Sequence, residues 1–272
     1  MTTIAPTWWT ARQDAQLEAS REDPSFREEL LSQPLMDLLD AVETAFAETA
    51  AGTPGWEDPH DGPDGDWRDA LEEEYSRCLA PGKYRILWAR ADAWTQVLFA
   101  RGWADAAEVA DGASLPWLIE PLTARHRATV LRPRRPGAQP LTLLRTAPDD
   151  ATGSTDLTGA DAQLPGLVIG LGEPIVPVET VPDCGCDACD SGSADLLEAL
   201  DSTILSIVDG SFEVTLSPGT ESQRTSFGGS LSSDDERVTV SAQISAGPWA
   251  DDWTPRTLIP PVEPVRRPRW FR

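Results

Sequence analysis

Ala194-Asp195-Leu196-Leu197-Glu198-Ala199-Leu200-Asp201-Ser202-Thr203-Ile204-Leu205-Ser206-Ile207-Val208-Asp209 is the stretch from which the fold follows. Leu196, Leu197, Leu200, Ile204, Ile207 and Val208 recur at helical spacing on one face, and Asp195, Glu198, Ser202 and Asp209 lie away from its centre. Ser193 is placed to cap the first turn through its hydroxyl. Gly210 can take the left-handed conformation that stops a helix. On both sides the period changes to two. Phe212, Val214 and Leu216 alternate with Ser211, Glu213 and Thr215, and Val238, Val240 and Ala242 alternate with Arg237, Thr239 and Ser241. That is the pattern of outer antiparallel strands with one wet face. Upstream, Leu167-Val168-Ile169-Gly170-Leu171 is a continuous apolar run, expected of a strand buried on both faces, with Ile175–Thr180 as its neighbour. Ala128–Arg132 and Leu141–Thr146 flank Pro133–Pro140 and predict a hairpin.

The first 110 residues read as mostly helical, with helices at about 11–20, Leu35–Thr49, Trp67–Leu79 and Lys83–Arg101. Helices first, then strands with one helix inserted, give an α+β fold with a mostly antiparallel sheet. The expected organisation is one domain over 1–272. A subdivision would separate a helical region over 1–110, a sheet region over 124–246 containing helix 194–209, and a basic Pro/Arg tail over 255–272. The tail carries Arg256, Arg266, Arg267, Arg269 and Arg272 with Trp270 and Phe271, and it is expected to lie against the protein's own acidic surface. Asp149–Gln163 is polar and reads as an exposed loop.

Chemistry concentrates just ahead of the inserted helix. In Val181-Pro182-Asp183-Cys184-Gly185-Cys186-Asp187-Ala188-Cys189-Asp190-Ser191-Gly192-Ser193, three of the four cysteines fall within six residues. Three readings stand. As Cys-x-Cys-x-x-Cys, the turn offers Cys184, Cys186 and Cys189 as thiolates to tetrahedral zinc, with Cys78, His60, His126, an aspartate or water as the fourth ligand. Cys186 and Cys189 could instead form a thiol–disulfide pair, although Asp183, Asp187 and Asp190 oppose thiolate formation. Or the cysteines are packed as small apolar groups. Trp56–Asp66 is rich in carboxylates around His60, but its spacing does not match a calcium loop and it reads as solvated. His60 and His126 are the two histidines, and neither lies in a nucleophile motif. Gly170-Leu171-Gly172 lacks the third glycine of a dinucleotide site. No catalytic or cofactor-binding residue is assigned beyond the cysteine turn.

Glu73-Glu74-Tyr75-Ser76-Arg77, the Tyr84–Trp94 helix, Pro182–Ser193 and Gly210-Ser211-Phe212-Glu213-Val214 resemble an uncharacterised, chiefly actinobacterial family of unknown function that carries this cysteine turn. The resemblance implies a cytosolic protein of a high-GC bacterium. It implies no activity.

Forty-five acidic against 22 basic side chains give a net charge of -23 and a pI near 4.3. Such a chain repels phosphates, which argues against nucleic acids and anionic membranes and leaves a basic protein as the expected partner. Oligomeric state is not legible. The N-terminus shows no signal peptide, and a cytoplasmic location with reduced thiols is expected. The leading functional reading is a non-enzymatic, macromolecule-binding protein with a structural cysteine turn. The alternatives are a zinc-dependent hydrolase or thiol redox protein using Cys184, Cys186 and Cys189, and an acidic immunity-type protein that neutralises a basic partner.

Overall fold

A computed structural model describes residues 7–23, 29–62, 66–150 and 164–260. The basic tail from 261 onward and residues 151–163 of the polar loop lie outside the described residues. The fold is α+β. Helices α1 (Trp8–Glu22), α2 (Gln33–Thr49) and α3 (Ile86–Ala100) come first. Strands β1 (Ala104–Val109), β2 (Ala128–Pro133), β3 (Leu141–Arg145), β4 (Leu167–Leu171) and β5 (Val176–Val181) then form an antiparallel sheet in sequence order. Helix α4 (Gly192–Asp209) follows. A second antiparallel sheet closes the chain, with β6 (Phe212–Ser217), β7 (Gly219–Thr225), β8 (Gly229–Asp235) and β9 (Ala242–Ser245) in the order β8-β7-β6-β9.

The apolar run of β4 has two partners because both its faces are covered. Leu167, Ile169 and Leu171 join the main core with Leu200, Ile204 and the α2 and α3 side chains, whereas Val168 packs with Ala128 and Leu144 under Leu115 and Trp117. Leu200 and Ile204 are fully buried, so α4 is central to that core. It stops at Gly210, whose φ of 84° and near contact with Pro248 leave no room for a side chain.

Several expectations need correcting. Ser193 does not cap α4; the helix already begins at Gly192, and the Ser193 hydroxyl instead bonds Trp56. Trp67–Leu79 forms only a short 3-10 turn at Glu72–Ser76. The reason is that the backbone groups a helix would use internally go elsewhere: the Arg77 carbonyl accepts the Asp187 N–H, and the Leu79 N–H donates to the Asp187 carboxylate. The α3 helix proper starts at Ile86 after a 3-10 turn. Residues 237–241 are not a strand, and the last strand is Ala242–Ser245. Asp209 is buried rather than peripheral, because Arg256 reaches it at 2.5 Å and Ser211 donates to it twice.

Candidate metal centre

β5 ends at Val181 and α4 begins at Gly192, so the cysteine turn is the joint between the first sheet and the central helix. Within it the Cys184, Cys186 and Cys189 sulfurs all lie within 4.8 Å of one another. Cys184 and Cys186 are 3.3 Å apart, sulfur to sulfur. Tetrahedral zinc with Zn–S bonds of about 2.3 Å holds its sulfurs roughly 3.8 Å apart, so the cluster needs only small shifts to bind. All four cysteines are free thiols, with Cys186 buried and Cys184 and Cys189 exposed.

The thiols perturb one another. Burial opposes ionisation of Cys184, but hydrogen bonds from the Cys186 backbone and from the Cys186 and Cys189 thiols outweigh it and lower its pKa. Cys189, whose thiol donates towards Cys186 and is partly buried beside Cys184, is pushed up to about 12. One thiolate is therefore favoured and a second is resisted. A divalent cation removes that resistance by replacing the protons.

The turn is held by residues distant in sequence. Trp56 Nε1 donates to Asp190 at 2.8 Å, and the Ser193 N–H donates to the Trp56 carbonyl. Arg77 Nε pairs with Asp187 at 3.2 Å. Lys83, the one lysine of the chain, forms an ion pair with Asp190 and lies over the Trp56 and Tyr84 rings. Gly192, at a φ of 83°, lets the turn pack against the Trp56–Asp58 backbone. Asp187 and Asp190 are thus clamps on the N-terminal region and not additional ligands.

None of the three side chains expected as a fourth ligand joins the sulfur group among the described residues. Cys78 is fully buried in the clasping segment, and burial lifts its thiol to about 11 even though Lys83 works against that. His60 touches the turn, its Nε2 donating to the Asp187 carbonyl at 3.0 Å. In the neutral ring this leaves Nδ1 as a buried acceptor without a hydrogen-bond partner. His126 precedes β2, where its backbone pairs with Arg145 and Gly112. The acidic loop does not form a cation site among its described residues. It supplies Trp56 and His60 to the clasp, and Asp58 accepts the His60 N–H.

Fold and site together define an α+β protein built around a three-cysteine joint. The chain belongs to a Family of unknown function (DUF6226), whose sequence model matches residues 42–256. The matched region contains the clasp, the cysteine turn, α4 and both sheets. No curated protein and no solved structure matches the chain.

Proposed function

We propose that this is a non-enzymatic cytoplasmic binding protein in which zinc, held by Cys184, Cys186 and Cys189, staples the joint between the first sheet and α4. The observation that carries this reading is the convergence of three sulfurs within 4.8 Å at that joint. Three thiolates around Zn²⁺ leave a net charge of -1 on the centre, which makes it a weak Lewis acid and suits a structural role better than water activation. The ring of His60, which touches the turn, is already engaged with Asp187. A binding role is supported by Trp67, Leu71, Tyr75 and Leu79, large side chains exposed along the segment that clasps the turn. The net charge of -23 favours a basic protein as partner. Among the described residues no helix is long and apolar enough to cross a membrane.

A catalytic metal is the second reading, favoured by one observation: Cys184 and Cys189 are exposed, so a fourth coordination position on that side would reach water. Elemental analysis of protein purified without added metal tests the staple. About one zinc per chain is expected, as a tetrahedral thiolate site would hold, and it should vanish in Cys186→Ser. Folded wild-type protein free of metal would overturn the reading.

A further inference from the structure

The cysteine turn also forms one end of a cleft. Strand β5 is the last strand of its sheet, and its outer edge is only partly used. Residues 116–118 pair with it in parallel at Ile175, through the Leu118 N–H to the Ile175 carbonyl and the Ile175 N–H to the Pro116 carbonyl. The chain then turns away at Ile119–Leu122. Among the described residues no strand covers the rest of the edge, from Val178 to Pro182. Two adjoining hollows open along it, of about 340 and 370 Å³, sharing Leu122, Thr123, Thr180 and Asp183. The far wall of the larger one is the β7–β8 ribbon of the second sheet.

Two backbone groups on this edge are capped by side chains where a neighbouring strand would otherwise sit. The Val178 carbonyl accepts Gln223 Nε2 at 3.0 Å, and the Thr180 N–H donates to the Glu179 carboxylate at 2.9 Å. Side chains can swing aside at little cost, so the edge is protected yet remains available. The lining is acidic. Glu179, Glu221, Asp183 and Asp235 face the larger hollow, and of these only Asp235 has an ion-pair partner among the described residues, Arg237 at 2.5 Å. Burial raises the carboxyl pKa of Glu179, and it raises that of Glu221 although the Gln223 hydrogen bond and the Arg237 charge work against it. Leu122 stands exposed between the hollows and offers an apolar contact.

We infer that this cleft binds an extended, arginine-bearing segment of a basic partner protein, which adds as a strand to the β5 edge and places its guanidinium groups against Glu179, Glu221 and Asp183. Main-chain hydrogen bonds would supply affinity and the carboxylates the choice of side chain, as in other strand-addition complexes. The inference rests on the binding half of the proposed function and is independent of its metal half.

The test uses the full chain and a fluorescent octapeptide of alternating arginine and threonine, with binding read by anisotropy at low salt. Binding is expected, and it should weaken by about tenfold or more in Glu179→Gln/Glu221→Gln, as for loss of charge-assisted hydrogen bonds. It should weaken similarly when alternate amides of the peptide are N-methylated, which keeps the charge but removes backbone donors. Absence of binding would overturn the proposal. So would equal binding by the double variant, which would mean general attraction to an acidic surface, or equal binding by the methylated peptide, which would mean no strand addition. Binding that appears only after deletion of residues 261–272 would assign the cleft to the chain's own basic end, and self-association that competes with the peptide would assign it to a second copy; either result rejects a foreign partner. Zinc content measured on the same samples keeps failure of the cleft separate from failure of the staple.

Discussion

Asp201 and the cysteine turn do similar work in opposite ways. Asp201 ties the N-terminal helices to α4, and the turn ties the 56–83 segment to it. Asp201 is fully buried and wrapped by donors: Arg90 grips it with two nitrogens at 2.9 and 2.7 Å, and Trp94 and Trp8 add indole N–H groups at 2.7 and 3.0 Å. Arg90 in turn reaches Glu43 at 2.6 Å. Every charge there has its partner within the chain, so the cluster is complete as structure. The cysteine turn instead gathers three like groups with no counter-charge among them. A polar cluster that the chain finishes by itself needs no ligand, whereas one that it leaves electrostatically unfinished points to one.

The sharpest way to break this contrast is at the completed cluster. Asp201→Ala removes the acceptor for three side chains and leaves the Arg90 charge, which is only 1% exposed, with Glu43 as its one remaining partner among those named. The expected loss is about 3–5 kcal/mol in urea unfolding, the usual cost of breaking a buried pair from one side. A loss under roughly 1 kcal/mol, the scale of an exposed ion pair, would show that Asp201 does not anchor the helices.

A smaller and opposite effect is expected in the cleft. Burial raises the folded-state pKa of Glu179, so its ionised form is disfavoured by folding. Its contribution to stability is therefore fully present below the unfolded carboxylate pKa and is lost as pH rises through the higher folded value. Glu179→Gln should raise the melting temperature more at pH 8 than at pH 4, by an amount within about 1 kcal/mol for a partly exposed group. A variant less stable than wild type at pH 8 would mean that the carboxylate supports the fold instead of straining it. The same substitution is expected to weaken peptide binding, so a functional group that costs stability would be set against Asp201, which supplies it.

The sequence made some of this legible and hid the rest for identifiable reasons. β4 and α4 could be read because their apolar patterns record what covers them: both faces of β4, one face of α4. The three thiols could be read because they are neighbours in the chain. The clasp could not, since Trp56–Asp190 and Arg77–Asp187 join residues more than a hundred positions apart and leave no local period. Lys83, alone among arginines, was the available signal. Trp67, Leu71, Tyr75 and Leu79 recur at spacing four and imitate a helix, yet they are exposed and their backbone serves the cysteine turn. β7 and β8 were illegible because none of their residues is fully buried, so no apolar alternation marks them, and β1 buries only Ala104 fully. The burial of Asp209 depends on Arg256, which as sequence belongs to a basic tail.

The central claim is that the cysteine turn is completed by a metal ion that supports the fold. It is tested most directly by melting metal-stripped protein with and without added zinc, beside the Cys184→Ser/Cys186→Ser/Cys189→Ser variant. Zinc should raise the wild-type melting temperature by an amount that grows with its concentration, equivalent to about 4 kcal/mol at a thousandfold excess over Kd, and should leave the variant unmoved. Coincident wild-type melting curves with and without zinc would contradict the account.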